Sequence, residues 1–255
     1  MWNSLLFNRR NRMRQQMDIS YGVWENGYLD LYLPDGACKA LVIWFHGGGL
    51  EHGDRKSIRF AQQLADAGVG SVSVEYRMYP DAGYPAFVED CAAAVAYVCS
   101  HKEELGNPEK IYVSGQSAGA WLTLMLAMNP AWLEKAGAGR NAIAGFISDS
   151  AQVTTHFNVL RERGLDTRLE RIDEAAPLFW LTQDCPVDDL LLIWYDQDMP
   201  CRPEQNKLLL RALKRFFPER NICGVELPGG HCAGSTDKNS QGTYDYADVL
   251  LRFIQ

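Results

Sequence analysis

The stretch IYVSGQSAGAWLTLML, residues 111–126, reads as a strand that passes through a glycine-flanked serine into a helix. Gly115 and Gly119 stand two positions before and two positions after Ser117. A plain turn requires a single glycine, so the pair indicates that no side chain fits close to the serine. A bare G-x-S-x-G arises often by coincidence. Between a strand and a helix, however, the pattern is typical of a sharp turn that exposes a nucleophilic serine at the edge of a sheet.

The composition is that of an ordinary globular protein, with 47% hydrophobic and 22% charged residues in a chain of 255. A net charge of -7 argues against nucleic acid and anionic membrane surfaces as partners. The 7 cysteines are odd in number and lack C-x-x-C spacing, which predicts neither a disulfide framework nor a metal site. Apolar residues precede basic ones at the start of the chain, the reverse of a secretory signal. No stretch has the length and apolarity of a membrane span, so we expect a cytoplasmic protein.

Apolar runs alternate with helical patterns along most of the chain. The predicted strands are 28–34, 40–46, 69–77, 110–115, 142–149, 190–196 and 222–227, and the predicted helices are 57–68, 87–105, 117–128, 203–216 and 244–254. Such alternation is typical of an α/β fold in which helices cover both faces of a mostly parallel sheet. We predict an N-terminal arm over residues 1–18 and a single domain over 19–255. Residues 150–189 contain no strong strand and are expected to form a crossover with a small cap over a site.

A serine nucleophile needs a base and an acid that orients the base. His231 follows the predicted strand 222–227, and the carboxyl ends of parallel strands meet at one edge of a sheet, so His231 is the predicted general base. Asp196 and Asp198 both lie at the carboxyl end of the predicted strand 190–196, at the same edge of the sheet. We favour Asp198 as the acid because it lies farther beyond the strand end, and Asp196 remains the alternative.

The sequence WFHGGGLEHGD, residues 44–54, supplies a glycine-rich loop at the same edge of the sheet. Its spacing matches neither the dinucleotide-binding nor the Walker pattern, which argues against a phosphate loop. We expect backbone N–H groups of this loop and of the helix after the serine to hold a developing oxyanion. The predicted oxyanion residues are Gly48, Gly49 and Ala118, and the predicted substrate-binding residues are Gln116, His156 and Trp180.

HGGG, GQSAG, YDQDMP and LPGGH occur in this order, together with YLDLYLP and VEYRMYP near the start. In this combination the chain resembles the compact esterase/lipase branch of the α/β-hydrolase superfamily over residues 19–254. That branch includes hormone-sensitive-lipase-like carboxylesterases, acetyl-xylan and feruloyl esterases, and kynurenine formamidases. The resemblance implies the α/β-hydrolase fold, and the order Ser117, Asp198, His231 is the one expected for its triad.

The sequence therefore predicts a serine carboxylesterase that acts on short-acyl, acetyl-like esters of small molecules, such as sugars or phenolic compounds. No metal or organic cofactor is implied, and the oligomeric state is left open. Two alternatives remain at this stage. One is an arylformamidase-type amide hydrolase with the same triad, and the other is a ligand-binding pseudo-hydrolase that has lost turnover.

Overall fold

A computed structural model of the chain describes residues 13–22, 24–183 and 185–255. The strands are β1 (Arg14–Ser20), β2 (Tyr28–Leu33), β3 (Ala40–Phe45), β4 (Val69–Val74), β5 (Lys110–Gln116), β6 (Gly145–Asp149), β7 (Asp189–Gln197) and β8 (Asn221–Gly230). The α-helices are α1 (Ala61–Asp66), α2 (Ala86–Ser100), α3 (Ala118–Met128), α4 (Ala131–Ala136), α5 (Phe157–Glu162), α6 (Arg202–Phe216), α7 (Ala233–Thr236) and α8 (Asp245–Ile254). Short 3₁₀ turns occupy Arg55–Ser57, Arg140–Ala142 and Pro177–Trp180.

The strands form one sheet in the order β1-β2-β4-β3-β5-β6-β7-β8. Strands β3 to β8 run parallel, whereas β2 pairs antiparallel with both β1 and β4. All positions of β3 and β4 are buried, as their apolar composition requires of strands covered on both faces. The carboxyl ends of β5, β6, β7 and β8 consequently lie side by side at one edge, and the segments that follow them begin there.

Alternate side chains of each central strand enter two separate cores. In β3, Leu41, Ile43 and Phe45 pack into one core, while Val42 and Trp44 pack into the other. The first core lies under α2, α3 and α6, and the second lies under α1 and α8. The predicted sheet with helices on both faces is thus confirmed.

The start of the sheet differs from the sequence prediction. Residues 1–12 of the predicted arm lie outside the described residues, but Arg14–Ser20 forms β1 and pairs with β2. Six of the seven β1 side chains are exposed, so the segment carries no burial pattern that marks a strand. Backbone hydrogen bonds to β2 hold it in place. Within the described residues, no helix is both long enough and apolar enough to cross a membrane.

Candidate active site

Ser117 occupies the turn between β5 and α3 with φ 54° and ψ -112°, a conformation that side-chain-bearing residues rarely adopt. Its N–H donates a hydrogen bond of 2.8 Å to the carbonyl of Asp149 at the end of β6. The adjacent strand thereby holds the turn in place, and a strained conformation persists only with such support. The serine side chain lies half-buried at the carboxyl edge of the sheet.

The two flanking glycines allow backbones to approach closely. A Cβ on Gly119 would lie 2.1 Å from the carbonyl oxygen of Phe45 in β3, and one on Gly115 would lie 2.1 Å from the carbonyl oxygen of Gly119. Both distances are far below a van der Waals contact. Helix α3 therefore starts against β3 and β5 only because neither position carries a side chain.

Gly119→Ala is expected to destabilise the fold by about 3 kcal/mol, because the added methyl group must push α3 away from rigid backbone atoms. Gly139→Ala is the matched control, since nothing lies within 4 Å of a Cβ at Gly139. Urea unfolding of both variants measures the difference. Equal free energies of unfolding for the two variants would contradict the packing role of Gly119.

His231 follows β8 and joins the serine to a buried acid. Its Nε2 lies 2.8 Å from Ser117 Oγ, and its Nδ1 lies 2.5 Å from Asp198 Oδ1. The side chain of Asp198 is fully buried, whereas that of His231 is 25% exposed. A carboxylate at Nδ1 accepts a hydrogen bond from Nδ1–H and so favours the tautomer with its proton on Nδ1, which leaves Nε2 to accept a hydrogen bond from the serine hydroxyl. This arrangement is able to abstract a proton from Ser117.

The structure separates the two aspartates that the sequence left as alternatives. Asp196 is exposed and accepts a hydrogen bond of 2.8 Å from the backbone N–H of Gly229. It therefore links β7 to the end of β8, just before His231, and Asp198 is the aspartate that contacts the histidine. Burial acts to raise the pKa of Asp198, but hydrogen bonds from His231 and Ser150 outweigh it and lower the pKa.

Ser150, which sequence reasoning missed, completes this group of side chains. It follows β6 with φ 61°, donates its hydroxyl proton to Asp198 Oδ2, and lies 2.9 Å from His231 Nδ1. No motif marks it. The only sign of its role in the sequence is its position directly after the strand predicted at 142–149.

The glycine-rich loop lies beside the serine. Gly48 and Gly49 have φ angles of 112° and 67°, and a Cβ on Gly48 would lie 2.0 Å from the carbonyl oxygen of His52. Among the hydrogen bonds of the described residues, none uses the N–H of Gly48 or Gly49. Ala118 begins α3, where N–H groups have no partner within the helix. The amides of Gly48, Gly49 and Ala118 thus have no hydrogen-bond partner among the described residues.

A cavity of about 410 Å³ opens at this site. It is lined by Gly47, Gly48, Gly49, Gly53, Ser57, Arg59, Gln116, Ser117, Phe157, Met199, His231, Cys232, Ser235 and Thr236. The structure therefore brings Gln116 to the site, together with Phe157 from the segment between β6 and β7. His156 and Trp180 do not line this cavity.

His156 was predicted to bind substrate, but in the structure it lies in the core and caps a helix. It is completely buried, its Nδ1 caps α5 by accepting a hydrogen bond of 3.2 Å from Asn158 N–H, and its ring packs against Trp121 and Phe157. Burial lowers the pKa of His156 well below its ordinary value, so the ring is neutral. His156 was predicted to line the pocket because it lies in the segment 150–189, but in the structure its ring is directed into the core.

Trp180 also differs from the prediction. The side chain is half-buried, donates a hydrogen bond of 3.0 Å to the carbonyl of Glu174, and packs against the core under α3. The apolar side chains that line the cavity are instead Phe157 and Met199. The turn Pro177–Trp180 thus directs the indole of Trp180 toward Glu174 and the core, and not into the cavity.

Residues 29–159 match the profile of the BD-FAE family, which is about half of the chain. The chain belongs to the BD-FAE family. The matched part includes the glycine-rich loop and Ser117, whereas Asp198 and His231 lie beyond it.

Curated relatives of this BD-FAE member are named lipases and esterases. Lipase 2 of Moraxella sp. (strain TA144) is 39% identical over 92 residues, which are 35% of this chain and 21% of that protein. Acetyl esterase of Salmonella schwarzengrund (strain CVM19633) is 35% identical over 106 residues, 40% of this chain and 32% of the relative. The matched stretches thus span about a fifth to a third of the curated relatives' own lengths.

Solved structures show the fold of the BD-FAE member over nearly its whole length. Esterase B from Lactobacillus Rhamnosis (HN001) superposes with a TM-score of 0.72 at 18% identity, covering 95% of this chain and 85% of the other. A truncated carbohydrate esterase from gut microbiota gives a TM-score of 0.72 at 19% identity, covering 96% and 97%. The predicted α/β-hydrolase fold is confirmed.

A second buried carboxylate lies behind the site of this BD-FAE member. Asp149 at the end of β6 is completely buried and accepts hydrogen bonds of 2.9 Å from Tyr195 and 2.6 Å from Ser235. Burial raises the pKa of Asp149 to about 6, although both hydrogen bonds and His231 act to lower it. Because its carbonyl also holds the amide of Ser117, Asp149 supports the serine turn.

Asp149→Asn is expected to flatten the dependence of stability on pH. Because the pKa of Asp149 is raised by folding, the folded chain binds this proton more tightly than the unfolded chain does. The free energy of unfolding therefore falls as pH rises from about 4 to about 6, by on the order of 3 kcal/mol at this residue. The asparagine variant lacks that titration. Its stability relative to the wild type should rise over the same interval, measured by urea unfolding at several pH values.

Asp81→Asn removes the same charge from an exposed position and serves as the control. A difference between the wild type and Asp149→Asn that stays constant from pH 4 to pH 7 would rule out titration of Asp149 in this range.

Proposed function

We propose that the protein hydrolyses carboxylic esters with Ser117 as nucleophile, His231 as general base and Asp198 as the acid that orients the base. The continuous contact from Ser117 Oγ to His231 Nε2, and from His231 Nδ1 to Asp198, carries this proposal. A serine hydroxyl at its free pKa is a weak nucleophile, and this geometry is the one that activates it.

In the first half of the reaction, Ser117 Oγ forms a bond to the acyl carbon while His231 Nε2 takes the hydroxyl proton. The carbonyl oxygen becomes an oxyanion, which the amides of Gly48, Gly49 and Ala118 stabilise by hydrogen bonds. The bond to the alcohol oxygen then breaks, and His231 returns the proton to that oxygen. Buried Asp198 stabilises the imidazolium that exists between these two transfers.

In the second half, a water molecule takes the place of the alcohol. His231 accepts a proton from the water as its oxygen attacks the acyl-enzyme. The bond to Ser117 breaks, and the proton passes back to Ser117 Oγ. The acid product leaves, and the site regains its starting protonation.

The substrates are small esters with a short, acetyl-like acyl group, on an alcohol such as a sugar or a phenolic compound. Two features support this choice. The cavity is about 410 Å³, and Phe157 and Met199 are the only large apolar side chains in its described lining. In addition, one of the relatives is named an acetyl esterase. Nucleic acids and membranes are not expected partners of a chain with a net charge of -7.

Hydrolysis of p-nitrophenyl acetate, butyrate and octanoate tests the proposal, with the rate of Ser117→Ala subtracted as background. We expect kcat/KM to be highest for the acetate or butyrate and lowest for the octanoate. A preference for octanoate would contradict the short-acyl assignment. If none of the three esters is turned over above background while N-formyl-kynurenine is, the protein is an amide hydrolase of the formamidase kind. If no substrate reacts in a folded protein, the site is not catalytic.

A further inference from the structure

Arg59 is a charged residue within the cavity that contains Ser117. It lies between the 3₁₀ turn Arg55–Ser57 and helix α1, and its side chain is exposed. Its Nη1 donates a hydrogen bond of 3.0 Å to the carbonyl of Thr236, which follows His231 in the chain and lines the same cavity. This contact holds the guanidinium group against one wall of the cavity that Ser117 also lines.

Arg59 differs from the nearby Arg55 in its ion pairing. No acidic side chain lies within ion-pair distance of Arg59 among the described residues. Arg55, only four positions earlier, contacts three carboxylates, those of Asp18, Asp30 and Glu75. The described lining of the cavity likewise contains no aspartate or glutamate, although the chain as a whole carries a net charge of -7. Arg59 is therefore the one arginine or lysine in the described lining, and the carboxylates of Asp198 and Asp149 lie behind that lining, against His231 and Ser235.

Three hydroxyl side chains that line the same cavity already donate their protons to protein acceptors. Ser57 donates to the carbonyl of Asp54, Ser235 donates to Asp149, and Thr236 donates to the carbonyl of Cys232. Arg59 has five N–H donors, and one of them serves the contact with Thr236. The other N–H groups of the Arg59 guanidinium are therefore the charged hydrogen-bond donors that a ligand in this cavity can use.

We infer that Arg59 selects ester substrates that carry a negatively charged group, such as a carboxylate, close to the scissile ester. A guanidinium group pairs with a carboxylate through two parallel hydrogen bonds, which gives direction as well as attraction. This inference rests on the proposed ester hydrolysis and specifies the chemical class of its substrate. The alternative is that Arg59 only ties the loop before α1 to the segment after His231.

Two pairs of substrates distinguish these roles and locate the charge. The first pair, 4-acetoxybenzoate and its methyl ester, places the carboxylate on the alcohol side. The second pair, 4-nitrophenyl hydrogen adipate and 4-nitrophenyl methyl adipate, places it on the acyl side. For each pair the measured quantity is the ratio of kcat/KM for the charged ester to that for its neutral partner. Arg59→Gln, Arg59→Lys and Arg211→Gln are compared with the wild type.

We expect the ratio for at least one pair to fall about fivefold in Arg59→Gln, a modest effect because the guanidinium is exposed to solvent. The fall should appear mainly in KM. Arg59→Lys should retain part of the preference, and added salt should weaken the preference in the wild type. Arg211→Gln removes the same charge from an exposed position on α6 that does not line the cavity, so its ratio should equal that of the wild type.

Arg59→Gln that slows charged and neutral esters by the same factor overturns the inference, since a purely structural contact affects both alike. Ratios unchanged in Arg59→Gln for both pairs overturn it as well, and normal turnover of the neutral esters leaves the proposed hydrolysis intact. Failure of the wild type to hydrolyse any of the four esters instead removes the proposed function, and the inference with it.

Discussion

Ser117→Ala is expected to lower kcat for ester hydrolysis by about 10⁶-fold, because no other group replaces the oxygen that forms the acyl-enzyme. The residual rate comes from binding and from the oxyanion amides, which the substitution leaves in place. Steady-state turnover of p-nitrophenyl acetate, with long incubation for the variant, measures the loss. Circular dichroism and urea unfolding should show that the variant remains folded.

Ser57→Ala is the matched control, since Ser57 also lines the cavity but has no contact with His231 in the structure. We expect its kcat to stay close to that of the wild type. Turnover in Ser117→Ala that approaches the wild-type rate would show that a different group attacks the ester.

Asp198→Asn is expected to lower kcat by about 10⁴-fold while leaving the geometry of the site largely unchanged. An asparagine that donates its amide N–H to His231 Nδ1 favours the tautomer with the proton on Nε2. That tautomer is unable to accept the proton of Ser117. The loss should appear in kcat for p-nitrophenyl acetate near neutral pH.

Asp196→Asn separates the two aspartates, because its oxygen still accepts the hydrogen bond from Gly229 and its side chain is exposed. We expect kcat to change by no more than about twofold, as for most surface substitutions. A larger loss in Asp196→Asn than in Asp198→Asn would reverse the assignment of the acid.

The central strands were predictable because burial on both faces leaves a strong pattern. The apolar run at 40–46 and the strand observed at Ala40–Phe45 differ by a single residue. The first strand, Arg14–Ser20, was not predictable, since it is held by backbone pairing and exposes nearly all of its side chains. A pattern of apolar residues indicates which side chains are buried, and an edge strand with exposed side chains carries no such pattern.

Some residues of the candidate site were predictable from the sequence and others were not. Ser117, Asp198 and His231 each follow a recognisable strand, so they meet at the carboxyl edge of the parallel sheet, and the sequence left open only the choice between Asp198 and Asp196. Ser150 and Arg59 reach the same edge without any motif. Their positions depend on where the segments after β6 and before α1 pass in three dimensions, which a single sequence does not specify.

The segment between β6 and β7 was the least predictable part of the site. Its contacts with the glycine-rich loop include the ring of Phe157, which would lie 2.8 Å from a Cβ on Gly49, and the side chain of Asn158, which donates to the carbonyl of Gly49. Arg161 also forms an ion pair with Glu51 of this loop. His156, one of the residues predicted to bind substrate, instead caps α5 inside the core. Neighbouring residues in an irregular segment point in different directions, so a position in the segment alone did not distinguish a pocket residue from a buried cap.

The most direct test of the central claim is covalent labelling of the folded wild type with an alkyl p-nitrophenyl phosphonate, followed by tryptic mapping. An activated serine displaces p-nitrophenolate and retains the phosphonyl group, because the adduct resembles the tetrahedral intermediate. We predict a single adduct on Ser117, in the peptide between Lys110 and Lys135, with release of an equal amount of p-nitrophenol. Ser117→Ala should take up no label. A folded wild type that remains unlabelled, or a label that persists in Ser117→Ala, would contradict the account.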